Sequence, residues 1–150
     1  MVETVLAYIE KDNQYLLLFR NKKKVDINKG KWIGVGGHIE KSETPIDALI
    51  REVKEETSLD VLEYQKRGIV YFCYNDIVEK MHLFTVSKCS GALSECNEGT
   101  LKYVDKKEML NLPMWPGDKI FLKYLEEDEP YFELKLVYVN DELVSSTRIK

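Results

Sequence analysis

Gly37-His38-Ile39-Glu40-Lys41-Ser42-Glu43-Thr44-Pro45-Ile46-Asp47-Ala48-Leu49-Ile50-Arg51-Glu52-Val53-Lys54-Glu55-Glu56-Thr57-Ser58-Leu59 is the stretch that decides how this chain folds. Thr44-Pro45 starts a helix, with a hydroxyl at the N-cap, proline in the first helical position, and the acid Asp47 in the first turn. The spacing predicts a helix running to about Thr57. At about 100° per residue, Ile46, Leu49, Ile50 and Val53 share an arc that can pack, and Glu52, Glu55 and Glu56 occupy another. Like charges three and four residues apart cost an exposed helix about 0.2–0.5 kcal/mol per pair. A bound divalent cation reverses that sign, and carboxylates on a rigid helix suit Mg²⁺ or Mn²⁺. A solvated acidic face, partly neutralised by Arg51 and Lys54, is the alternative.

Upstream of this stretch, residues 4–9 and 15–19 have strand character, and Lys11-Asp12-Asn13 between them is turn chemistry, so a hairpin opens the chain. A polar, basic loop over residues 22–31 leads into Trp32-Ile33-Gly34-Val35-Gly36-Gly37. Its three glycines in four positions imply unusual backbone angles or the close approach of another group. Downstream, residues 68–74, 80–87 and 101–104 read as strands, and Leu112-Pro113-Met114-Trp115-Pro116-Gly117-Asp118 as a rigid connector. A second amphipathic helix over about residues 118–126 follows, with Ile120, Phe121, Tyr124 and Leu125 at helical spacing, and a hairpin turning at Asn140-Asp141 ends the chain. The pattern predicts one α/β domain across residues 1–150, a mixed sheet packed between helices in an α/β/α sandwich.

With 150 residues, 44% of them hydrophobic, the chain can bury one good core. No apolar run approaches the roughly 18 residues that cross a bilayer, and Met1-Val2-Glu3-Thr4 lacks the features of a secretory signal, so the expected compartment is the cytoplasm. The net charge of −4 argues against wide contact with a nucleic-acid backbone and for a small partner. Cys73, Cys89 and Cys96 lack the spacing of a disulfide framework or a zinc site and are expected to be free thiols, buried or partly buried.

The quoted stretch resembles the Nudix box: glycine, five residues, glutamate, seven residues, then Arg-Glu-aliphatic-any-Glu-Glu-any-Gly-aliphatic. Gly37, Glu43, Arg51, Glu52, Val53, Glu55, Glu56 and Leu59 fall in register. Ser58 stands where the family has glycine, at a helix end that often needs a left-handed backbone. The resemblance implies a metal-dependent pyrophosphohydrolase in which Glu52, Glu55 and Glu56 hold Mg²⁺ (Mn²⁺ also possible), with a backbone carbonyl near Gly36 or Gly37. Glu43 and Arg51 match the family's supporting ion pair. A further acid is expected from a distal loop, with Glu98 as the leading candidate and Asp105 and Glu95 as alternatives. Lys23, with Arg20 as companion, would meet phosphate oxygens.

Outside the box, residues 30–37 and Met114-Trp115-Pro116-Gly117-Asp118 resemble the MutT-type subgroup that hydrolyses 8-oxo-dGTP and related oxidised purine nucleotides. That implies Trp115 stacking on a purine and Asp118 bonding its edge, both acting on a free nucleotide in a monomer or homodimer. Two positions depart from that pocket: Gly117-Asp118 stands where the relative has Asp-Asp, and Ile33 where it has asparagine.

Overall fold

The structure is a computed structural model describing residues 1–150. Strands β1 (Val2–Lys11) and β2 (Gln14–Phe19) form the opening hairpin, and β3 (Trp32–Ile33) and β4 (Val35–His38) follow the basic loop. Helix α1 (Pro45–Thr57) comes next, then β5 (Asp60–Tyr74), β6 (Ile77–Ser90), β7 (Thr100–Asp105), α2 (Pro116–Glu126), β8 (Phe132–Val139) and β9 (Glu142–Arg148). The strands form one mixed sheet in the order β3-β2-β1-β6-β5-β8-β9, with β4 on β1 and β7 on β2. The β1–β6 and β5–β8 pairs are parallel, and the rest are antiparallel.

The hairpin strands bury both faces, and their alternate side chains feed two cores. Ala7, Ile9 and Leu16 pack with Ala48, Leu49 and Val53 of α1, whereas Tyr8, Tyr15 and Leu17 pack with Phe121, Leu122 and Leu125 of α2. A period of two across a sheet covered on both sides produces this division. The helices therefore cover opposite faces, as the α/β/α reading expects.

Helix α1 begins where its sequence says. The Thr44 hydroxyl accepts from the Asp47 backbone N–H at 3.1 Å, and the Asp47 carboxylate accepts in return from the Thr44 N–H at 3.1 Å, closing a capping box. It ends at Ser58, left-handed at φ 67° as that position requires, with its N–H bonded to the Lys54 carbonyl at 2.9 Å. The packing arc differs from expectation. Ile46 and Ile50 are exposed, and the buried face is made by Ala48, Leu49, Val53, Glu56 and Thr57. The helix is rotated toward its glutamates because the backbone of β4 hydrogen-bonds Glu56, so an acid occupies a core-facing position.

Four other elements depart from their expected form. The glycine-rich segment is strand: Leu6 faces Gly36 and Val5 faces Gly37 in antiparallel register. A Cβ on Gly36 would lie 1.9 Å from the Val5 carbonyl oxygen, so only glycine lets β4 lie this close to β1. Strands β5 and β6 extend beyond the apolar runs because polar residues such as Glu63 and Gln65 pair with Lys88 and Thr85. Helix α2 starts at Pro116, two residues early, because proline suits the first helical position.

Candidate active site

The side of α1 that meets β4 carries the acids. Glu56 is 6% exposed, and its carboxylate accepts the Gly36 backbone N–H at 2.8 Å. Glu52 lies against Gly37, where an added Cβ would meet its carboxyl carbon at 2.6 Å. The glycine pair thus does two jobs: Gly36 admits the strand, and Gly37 makes the cradle for Glu52. Glu55, one turn out, is exposed.

Arg51 is spent on its neighbours. Its Nε and Nη2 grip the two Glu43 oxygens at 2.7 and 2.8 Å, Nη1 donates to Glu52 at 2.7 Å and Glu55 at 3.2 Å, and Nη2 also reaches the His38 carbonyl at 3.0 Å. Glu43 further accepts the Glu40 backbone N–H at 2.8 Å. The fork from Arg51, aided by that N–H, pulls Glu43 down to about 2, and the same bonds hold Arg51 charged. Burial raises Glu52 despite the guanidinium beside it.

Glu98 comes to these acids from the loop before β7. Ligand atoms of Glu56, Cys96 and Glu98 all lie within 4.8 Å of one another. Burial, reinforced by the Glu98 carboxyl, drives Glu56 strongly toward its protonated form. Burial would lift Glu98 too, but the Glu56 proton and the cations Lys23 and Arg20 outweigh it and hold Glu98 ionised. Lys23 donates to one Glu98 oxygen at 3.0 Å and Arg20 to the other at 3.2 Å. Crowded carboxylates at the floor of a cleft are a donor set for a hard divalent cation, which would replace the shared proton. Asp105 and Glu95 are exposed and outside this group, and Asp105 instead accepts the Lys107 N–H at 2.8 Å in a turn.

A cavity of about 460 Å³ opens on these residues; Glu52, Glu98, Gly36, Gly37, Lys23 and Arg20 line it together with Ile33, Phe72, Met81, Trp115 and Asp118. Trp115 is only 2% exposed, wedged against Phe72, Tyr74 and Tyr138 with ring centroids 5.0–5.8 Å apart. Its Nε1 donates to Asn28 at 2.7 Å, and the Lys31 ammonium lies 4.4 Å from its ring centroid. Asp118, 5% exposed, is pushed up to about 8 by burial alone, so near neutrality it carries a proton and can donate as well as accept.

Of the residues expected from the sequence, the structure groups Glu43, Arg51, Glu52, Glu56, Glu98, Lys23, Trp115, Asp118 and the glycine pair, and leaves Glu55 exposed at the edge, held only through Arg51. Sequence reading passes over Asp26, Asn28 and Cys96. The Asp-x-Asn spacing is an Asx-turn signal that would have located the first two; Cys96 had no signal beyond its place two residues before Glu98. The three cysteines are free thiols, with Cys96 buried. No helix is long and apolar enough to cross a membrane.

Comparison with known proteins agrees with this geometry. The Nudix hydrolase YvcI of Bacillus subtilis is 32% identical over 78% of this chain and 74% of its own length. The oxidized purine nucleoside triphosphate hydrolase of Mus musculus is 27% identical over 73% of this chain and 71% of its own, and the CTP pyrophosphohydrolase of Escherichia coli is 27% identical over 79% and 86%. The MutT protein of Bacillus halodurans has the same fold, with a TM-score of 0.89 and 24% identity over 99% of this chain and 98% of its own. Nudix hydrolases use divalent metals and act on small nucleotides, and residues 2–125 match the NUDIX domain, so this chain belongs to the Nudix hydrolase family.

Proposed function

We propose that this hydrolase cleaves a purine nucleoside triphosphate, with 8-oxo-dGTP or a related oxidised purine nucleotide preferred, to the monophosphate and pyrophosphate. The observation that carries the reading is Asp118: a buried, protonated carboxyl lining the same cavity as Glu52 and Glu98, beside Trp115. A neutral acid both donates to and accepts from a purine edge, which suits the altered hydrogen-bond pattern of an oxidised base. The mouse relative's name points the same way. On this reading residues 1–150 form one Nudix domain acting in the cytoplasm on free nucleotides, as monomer or homodimer, without polymeric nucleic acid or membrane.

Glu52, Glu55, Glu56 and Glu98, with the Gly37 carbonyl, would hold Mg²⁺ or Mn²⁺. Bound there, the metal supplies charge neutralisation at the phosphate oxygens and activation of water. The chain's own groups do the rest. Water oxygen adds to the β phosphorus, the bond from that phosphorus to the α–β bridging oxygen breaks, and the bridging oxygen leaves with the monophosphate. A carboxylate of the Glu56–Glu98 pair takes the water proton. Glu43 and Arg51 fix Glu52, and Lys23 turns from Glu98 to the phosphates while Arg20 stays on Glu98. Trp115, packed among Phe72, Tyr74 and Tyr138 under the Lys31 ammonium, contributes an apolar wall at the base in place of the purine stacking expected from the sequence.

A panel of 8-oxo-dGTP, dGTP, ATP and CTP, run with Mg²⁺ and then with chelator, tests this. A higher kcat/KM for 8-oxo-dGTP than for dGTP supports it, and equal or reversed rates dismiss it. Ile33 in the cavity, where the resembling pocket has an amide, favours a second reading as a Nudix hydrolase of another nucleotide. The relative named for CTP fits that reading. Hydrolysis in ¹⁸O water identifies the phosphorus attacked in either case.

A further inference from the structure

We propose that Arg20, Asp26 and Asn28 form a positioning relay that ties Trp115 to Glu98. It rests on the nucleotide hydrolase reading above and adds how occupation of the base region bears on the carboxylates. The links are continuous. Trp115 Nε1 donates to Asn28 Oδ1 at 2.7 Å, the Asn28 backbone N–H donates to Asp26 Oδ1 at 3.0 Å, Arg20 Nε donates to Asp26 Oδ2 at 2.7 Å, and Arg20 Nη1 donates to Glu98 Oε2 at 3.2 Å. Glu98 in turn stands beside Glu56.

Each member is held so that displacement passes on. The Asp26 side chain is 5% exposed and that of Arg20 12%, so neither bond is the loose surface pair that water screens. The loop carrying them is short of other options. It has no regular structure, and its backbone bonds run from Lys29 to Asp26, from Lys31 to Asn28, and between Arg20 and the pair Gly30 and Lys31. Asp26 is thus the one side chain that closes the turn and also orients the guanidinium. The Arg20 fork spans two carboxylates in fixed geometry, which a lysine ammonium cannot reproduce. A base pressing on Trp115 would move Asn28, and through Asp26 and Arg20 the Oε2 of Glu98.

The test needs no nucleotide. The chain has two tryptophans, so ¹H–¹⁵N spectra contain two indole signals, assigned with Trp32→Phe. Asn28→Ala should shift the Trp115 signal, and Asn28→Asp, which keeps the acceptor oxygen, should bring it back toward its original position. The deciding variants are at the far end: Arg20→Lys and Glu98→Gln should each move the Trp115 signal by more than its linewidth in a protein whose melting temperature is retained. A Trp115 signal that responds to Asn28→Ala but to neither distant change overturns the relay and leaves only a loop clamp. In turnover, Asp26→Asn should lower kcat about tenfold with little change in KM, the size expected for groups that orient a metal ligand. A rise in KM at unchanged kcat also overturns it. The substrate panel judges the function separately, because failure there leaves the indole measurement standing.

Discussion

Replacing Asp118 by asparagine keeps the side-chain shape and removes its titration, so it isolates what the buried carboxyl costs the fold. Burial lifts Asp118 from an ordinary 3.8 to about 8. The phenols that feel its charge, Tyr8 and Tyr138, are themselves held protonated by burial, so no cation compensates it. The folded state therefore keeps a proton that the unfolded chain releases near pH 4. Stability from this group is fully present below that pH, falls as pH rises, and stops falling near pH 8 when both states are ionised. Each pH unit inside the window is worth about 1.4 kcal/mol, so between pH 5 and pH 7 the wild type should lose about 2–3 kcal/mol relative to Asp118→Asn. Urea unfolding of both proteins at pH 5, 6 and 7, followed by tryptophan fluorescence, measures the difference directly. Parallel pH profiles would refute the protonated carboxyl and, with it, the ability of Asp118 to donate to a base.

The glycine pair yields a contrast. Gly36→Ala should destabilise the fold, because its Cβ would collide with the Val5 carbonyl, whereas Gly37→Ala should stay folded in thermal melts but lose about 100-fold in kcat as Glu52 is displaced. Glu52→Gln and Glu56→Gln should each reduce kcat by about 100-fold or more without lowering the melting temperature, and retained activity in both would remove them from the metal site. Trp115→Ala should cost about 3–5 kcal/mol in denaturant unfolding, since the ring is buried among three aromatics, and should also raise KM. Ser58→Gly should stabilise by about 0.5 kcal/mol in the same assay, the relief of a left-handed residue reduced by loss of the Ser58–Ser94 hydroxyl contact.

What could be read from the sequence follows the range of the interactions concerned. The ends of α1 are legible because a cap is decided within four residues: Thr44 and Asp47 satisfy each other, and Ser58 turns left-handed wherever the helix happens to sit. The hairpins are legible for the same reason, with Asn13 and Asn140 supplying the positive φ their turns need. The rotation of α1 was hidden, since periodicity assigns an acid to the solvent and cannot know that a glycine N–H twenty residues earlier will receive it. The box motif singles out Glu56 while the amphipathic pattern places it on the wrong face, because a carboxylate that receives a backbone N–H takes a core position against its own solvation. The composition of the loop over residues 22–31 is basic and polar, and says nothing of what the loop holds. Its decisive bonds join Asn28 to Trp115 and Arg20 to Glu98, across 87 and 78 residues of chain. Only the sheet order, which sets β7 beside β2, brings Glu98 to the end of the strand that Arg20 directly follows.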